Sequence, residues 1–317
     1  MKRIRIVAVI MMISVAFSTI AQTLDDAGAA FNQGIQFSKD LKYAEAAAAY
    51  EQTIKICTQV GDDGMELQIK AEQQLPSTYF NAAKGLFDAK NYKDAIPYFE
   101  KSIEYAVKMG ETKTADASRT YLAGIYTALG NTDLKNEALD QAIEKYNKAL
   151  TYKEGYYKAY YGLGVVYKKQ ENLPMMKEAF DKVIAMGGDD AKTIGNAKDA
   201  ATSAYQKAGA LALQSKKYSA AVENLLTSQE YNNTEPRTYF YLAIAYNGLS
   251  KPDEAITAAT KALELQTEDK SDIYFELGKS YEKKGDNASA CENYKKVTAG
   301  DNVAAAKYQM ETVIKCQ

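Results

Sequence analysis

SDIYFELGKSYEKKGDNASACENY, residues 271–294, decides the fold. Its first half sets Tyr274, Leu277, Gly278 and Tyr281 three and four residues apart, the spacing that gathers side chains on one face of an α-helix. Gly285 and Asp286 interrupt the pattern as a turn, and Ala290 and Tyr294, again four apart, start a second apolar face. Small residues on the facing sides let two helix backbones approach closely, so the stretch reads as an antiparallel helix pair.

The phrase returns at a period of about 34 residues. One copy holds Tyr160, Leu163, Gly164, Tyr167, Asn172 and Phe180; another holds Tyr239, Leu242, Ala243, Tyr246, Ala255 and Ala262. These residues resemble the tetratricopeptide repeat. The resemblance implies an all-α fold, a right-handed superhelical solenoid of about seven antiparallel helix pairs closed by a C-terminal capping helix. In this register the repeats cover residues 27–60, 76–109, 116–156, 157–190, 202–235, 236–269 and 271–304, with the cap over 302–315. Gly34, Gly164, Gly209 and Gly278 are expected to face Ala46, Met176, Ala221 and Ala290. Insertions before Pro76, Asp116 and Thr202 read as helical additions, and one between Gly130 and Ala142 reads as a longer second helix. Pro76, Pro174, Pro236 and Pro252 fall near expected helix starts, where a missing N–H is harmless, while Pro97 falls deeper. In the cap, Val303, Ala306, Tyr308 and Val313 are expected to point inward, and Lys307, Gln309 and Glu311 outward.

Lys2, Arg3 and Arg5, the apolar run from Ile6 to Ile20 and the small residues Thr19 and Ala21 read as a secretory signal over residues 1–21, cleaved before Gln22. An uncleaved anchor is the alternative, although the run falls short of the ~20 residues needed to span a bilayer. Without those three bases the formal charge moves from −2 to −5, thirty-six bases against forty-one acids. That mild acidity speaks against non-specific nucleic-acid binding. The chain has no histidine, which excludes histidine acid–base chemistry, Ser-His-Asp triads and histidine metal ligands. Neither enzymatic activity nor a metal or cofactor is expected. Asp62, Asp63, Asp189 and Asp190 precede helices, where capping accounts for them. Gly162-Leu163-Gly164 starts like a dinucleotide loop, but it follows no strand and lacks the third glycine.

Cys57, Cys291 and Cys316 are too few and too scattered for a zinc site. In an exported protein the alternative is a disulfide. A cap antiparallel to the last second helix brings Cys291 and Cys316 to matching heights, leaving Cys57 as a buried thiol.

The resemblance also implies a partner-binding groove lined by first helices. The matching positions are Phe31, Phe80, Tyr161, Phe240 and Phe275, with Ile35, Val165 and Ile244 a turn later. An aromatic there also serves packing between neighbours. Lys39, Lys84, Lys158, Lys168, Lys169, Arg237, Lys279 and Lys283 share the face with Asp88, Asp272 and Glu282. Eight bases less three acids leave +5, a charge suited to an acidic segment or a terminal carboxylate. The expectation is a non-catalytic protein-interaction scaffold of the bacterial cell envelope, periplasmic or at the cell surface, binding a protein or peptide. The alternative is a glycan-binding component of polysaccharide capture, against which the absence of tryptophan counts.

Overall fold

A computed structural model describes residues 23–316, so the signal expected over residues 1–21 lies outside the described residues. Helices follow one another in antiparallel pairs: α1 (Leu24–Lys39) with α2 (Tyr43–Val60), α3 (Met65–Asp88) with α4 (Tyr92–Met109), and α5 (Thr112–Lys135) with α6 (Leu139–Tyr152). Next come α7 (Tyr157–Lys169) with α8 (Leu173–Met186), α9 (Ala191–Gln214) with α10 (Tyr218–Tyr231), α11 (Pro236–Gly248) with α12 (Pro252–Leu265), and α13 (Ser271–Lys284) with α14 (Asn287–Tyr294). A short α15 (Val303–Tyr308) and one π turn (Gln309–Val313) end the described chain. No described helix is long and apolar enough to cross a membrane.

The chain forms two compact units, one ending at Leu122 and the other starting at Ala123, with the border inside α5. In the first unit Ala46, Ala47, Tyr50, Ala71, Leu75 and Tyr79 form the main core. There the Ser102 hydroxyl donates to the Pro76 carbonyl at 2.9 Å and lies 2.9 Å from the Ser118 hydroxyl, satisfying a buried polar cluster. The second unit has one core around Tyr146, Leu163, Phe180 and Val183 and another around Leu225, Tyr239, Leu242 and Leu277.

What closes each pair is a small residue under a large one. A Cβ on Gly164 would stand 2.4 Å from the Phe180 ring, on Gly278 2.6 Å from Tyr294, on Gly209 2.6 Å from Leu225 and on Gly34 2.6 Å from Tyr50. The partner is always sixteen positions on (34 to 50, 164 to 180, 209 to 225, 278 to 294), and Gly130 meets Tyr146 at the same offset. The glycines therefore face the residue one turn beyond Ala46, Met176, Ala221 and Ala290. The physical reason is that a helical side chain leans toward its own N-terminus and covers the turn before its Cα. Burying a ring such as Phe180 completely contributes about 2 to 3 kcal/mol.

Each pair turns at a left-handed residue seven positions after the small one: Leu41, Lys90, Glu137, Glu171, Lys216 and Ser250, with φ between 54° and 60°, and Gly285 at 85°. The next N–H bonds back to the fifth preceding carbonyl, as from Lys42 to Phe37 at 2.9 Å and from Asp286 to Tyr281 at 2.9 Å. This is the Schellman closure of a helix end.

The constant spacing corrects two expectations. No residues are inserted between Gly130 and Ala142, which stand twelve apart as Gly34 and Ala46 do; the added residues lie at the start of the first helix, so α5 has 24 residues and α6 only 14. Pro76 lies inside the 24-residue α3 rather than at its start. The inserted residues carry Ala71 and Leu75 into the core against α2, and burying Leu75 contributes about 2 kcal/mol, comparable to the ~3 kcal/mol cost of an internal proline. Pro97 also lies inside its helix, whereas Pro174, Pro236 and Pro252 occupy first-turn positions.

Cys291 and Cys316 are joined in a disulfide with Cα atoms 5.8 Å apart, and Cys57 is a buried free thiol whose pKa burial pushes up. The cap itself differs from expectation. Ala306 is buried and Met310 and Ile314 pack on the core of Ala290, Tyr294 and Val297, while Val303, Tyr308 and Val313 are exposed. Residues 306, 310 and 314 stand four apart and make one line along α15 and the π turn, and that line rather than Val303, Tyr308 and Val313 faces the core.

Candidate partner-binding surfaces

The aromatics expected on the first helices stand three residues before the small closing residue, so they flank the same second-helix ring. Phe31 packs on Tyr50 with centroids 5.6 Å apart, Phe80 on Phe99 at 5.8 Å, Tyr161 on Phe180 at 6.0 Å and Phe275 on Tyr294 at 5.8 Å. Phe240 faces Ala259 at that offset and instead lies 5.8 Å from Tyr241. All five rings are half-buried, as are Ile35, Val165 and Ile244. Each therefore packs its pair together and also offers an edge to solvent. Phe31 and Phe80 belong to the first unit; Tyr161, Phe240 and Phe275 belong to the second.

Several of the expected free cations already have partners. Lys84 meets Asp88 at 2.7 Å, and the carboxylate's hydrogen bond raises the lysine pKa. Lys169 meets Glu137 at 3.5 Å. Lys279 meets Glu276 at 2.8 Å and stands 5.5 Å over the Phe275 ring. Glu276 is buried and also accepts from the Asn247 amide at 3.0 Å, and Lys283 donates to the Asn247 carbonyl at 2.5 Å. In the second unit the six bases counted from sequence, Lys158, Lys168, Lys169, Arg237, Lys279 and Lys283, thus stand against Glu137 and Glu276 as well as Asp272 and Glu282. The excess falls from four to two.

Arg237 and Phe240 come together in one cavity of about 320 Å³, beside Glu235, Glu268, Asp269 and Asp272. Asp269 accepts from the Ser271 N–H at 2.9 Å and Asp272 from the Asn302 amide at 2.9 Å, so both carboxylates also secure the turn into α13 and the start of the cap.

Sequence reasoning missed the opposite face, where consecutive second helices leave clefts over the first helix between them. In the first unit the space between α2 and α4 is lined by Tyr43, Asn81, Leu86, Pro97 and Tyr98, about 550 Å³. In the second unit the cleft between α6 and α8 holds about 240 Å³ and that between α10 and α12 about 710 Å³. Aligning Tyr160 with Tyr239 and Lys182 with Lys261 reveals them as equivalent positions, a signal that a residue-by-residue comparison of the repeats could have supplied.

Comparison with known proteins agrees with the repeat. Residues 240–305 match one family model described as tetratricopeptide repeat, and residues 76–106 and 157–186 match another. A chloroplastic tetratricopeptide repeat domain-containing protein of Arabidopsis thaliana, PYG7, is 30% identical over 88 residues. That match spans 28% of this chain and only 28% of that protein's length. Among solved structures, the MamA protein aligns at 20% identity over 61% of this chain and 96% of its own, with a TM-score of 0.37. MamA from Desulfovibrio magneticus RS-1 aligns at 22% identity over 55% and 92%, TM-score 0.35. YrrB, described as a TPR protein with an unusual peptide-binding site, aligns at 21% identity over 55% and 83%, TM-score 0.35. The chain carries tetratricopeptide repeats in these three separate stretches, and the helix pairs there keep the register of the repeat.

Proposed function

We propose that the chain is a non-catalytic scaffold that binds a partner protein or peptide on its first-helix faces, after export to an oxidising compartment such as the periplasm. The observation that carries the reading is the recurrence of a half-buried aromatic at one register of the first helices, Phe31 and Phe80 in one unit and Tyr161, Phe240 and Phe275 in the other. Such rings add contact area at small entropic cost and suit the capture of an extended or helical segment. With Glu137 and Glu276 beside the lysines, apolar contact rather than net charge carries recognition. The Cys291–Cys316 disulfide and the signal read over residues 1–21 support export. The test is photo-crosslinking in cells with a benzophenone amino acid in place of Phe240 or Phe275, with the exposed Leu211 of α9 as control. One discrete protein adduct from the first two positions and none from the control is the expected outcome; adducts equally abundant from all three, or from none, overturn the reading.

A further inference from the structure

The last second helix is covered differently from those before it. Val183 of α8 lies in one core with Ala197, Ala201 and Tyr205, four apart along α9, so a full first helix lies over it. Val297, three residues after Tyr294 as Val183 is after Phe180, shares its core with the cap instead: Ala306, Met310 and Ile314, again four apart. A first helix such as α7 has 13 residues and buries Ala159, Tyr160, Leu163 and Val166, whereas α15 has six and buries Ala306 alone. The cap takes the place of one more first helix with a fraction of its contact. At its start the Ser271 hydroxyl accepts from the Thr298 and Ala299 N–H groups at 3.3 and 3.1 Å, and the Asn302 amide donates to Asp272 at 2.9 Å. The chain is therefore pinned as far as residue 302. Beyond it, residues 303–316 are held by the three inward side chains and the Cys291–Cys316 bond.

We infer that the Cys291–Cys316 bond is a redox latch over a helix-docking face. Cys291 is only 9% exposed while Cys316 is half-buried, so an incoming thiolate reaches the Cys316 sulfur first. One thiolate of a dithiol reductant forms a mixed disulfide with Cys316 as Cys291 leaves and takes up a proton. The second thiol then displaces Cys316, so two electrons and two protons pass to the chain and the reductant ends as a disulfide. Residues 303–316, too short a segment to stay helical unaided, come away while residues 298–302 remain pinned. The uncovered face of Ala290, Tyr294 and Val297 takes an amphipathic helix of a partner protein whose small or aliphatic residues stand four apart, the pattern of both coverings seen in the chain. Helix α1 of a second copy does not supply it, since its exposed residues include Asn32, Gln33 and Gln36. The inference goes beyond the scaffold reading and does not use the first-helix aromatics.

A labelled peptide of residues 303–315 tests it by fluorescence anisotropy against the full chain. The peptide is expected to bind the chain in dithiothreitol, and the Cys291→Ser/Cys316→Ser variant without reductant, at least about tenfold more tightly than the oxidised chain. The same peptide carrying Met310→Asp and Ile314→Asp is expected to bind none of them. Circular dichroism confirms that the double serine variant keeps its helices. Equal binding to the oxidised and reduced chains, binding that survives the two aspartates, or binding to neither form overturns the inference. So does a dimer on size-exclusion chromatography of the reduced chain, which assigns the uncovered face to the released cap of a second copy. None of these outcomes touches the crosslinks at Phe240 and Phe275 that decide the scaffold reading.

Discussion

Gly162 and Gly164 stand two residues apart in α7 and serve opposite neighbours. A Cβ on Gly162 would meet the Tyr146 ring of α6 at 2.3 Å, and one on Gly164 the Phe180 ring of α8 at 2.4 Å. The pair that resembles the start of a dinucleotide loop is thus a double contact point for packing. Tyr146 and Phe180 are both fully buried and have no room to retreat. Gly164→Ala should therefore destabilise the protein by about 1 to 3 kcal/mol through overpacking. The opposite sign is expected at Leu41, which is 70% exposed at φ 60°. Leu41→Gly relieves left-handed strain and should stabilise by about 0.5 to 1 kcal/mol. Urea titration of both variants checks the pair, and a rise in midpoint for Gly164→Ala would contradict the packing account. Of these residues, the glycines were legible as close-approach points, but the rings they meet were not. Lean of side chains along a helix is a three-dimensional property that a face diagram omits.

At the scale of elements, the cap is the weakest helix with the strongest tether. Six α-helical residues and a π turn bring only Ala306, Met310 and Ile314 onto the core, too short a segment to hold helical structure alone. The Cys291–Cys316 bond, spanning 25 residues, contributes about 3 to 4 kcal/mol on the chain-entropy estimate. Reduction with a thiol, or Cys316→Ser, should remove amide-exchange protection from residues 303–316 while leaving α7 and α8 protected. Retained protection of the cap after reduction would show that packing alone holds it. The pairing of these cysteines was readable from their places at the two ends of an antiparallel element pair. The inward face was not, because the segment offers a second set of apolar residues, Val303, Tyr308 and Val313, and only packing on Ala290 and Tyr294 chose Ala306, Met310 and Ile314 over them.

Among the described residues, helices touch their neighbours and little else: α11 packs on α10 and α12 and more lightly on α9 and α13. Stability is then a sum of local interfaces, which need not be lost together. Calorimetry should accordingly give an unfolding enthalpy larger than the van't Hoff value, and equality of the two would indicate a single cooperative transition.

The sequence by itself determined the helix pairs, their recurrence and the cysteine pairing, because these follow from short-range spacing of apolar, small and turn residues. Only the tertiary structure decided which ring each glycine meets and that Glu137 stands beside Lys169. Those outcomes depend on residues in different helices, sixteen positions apart within a pair or thirty-two between pairs, which come within contact distance only when the helices pack.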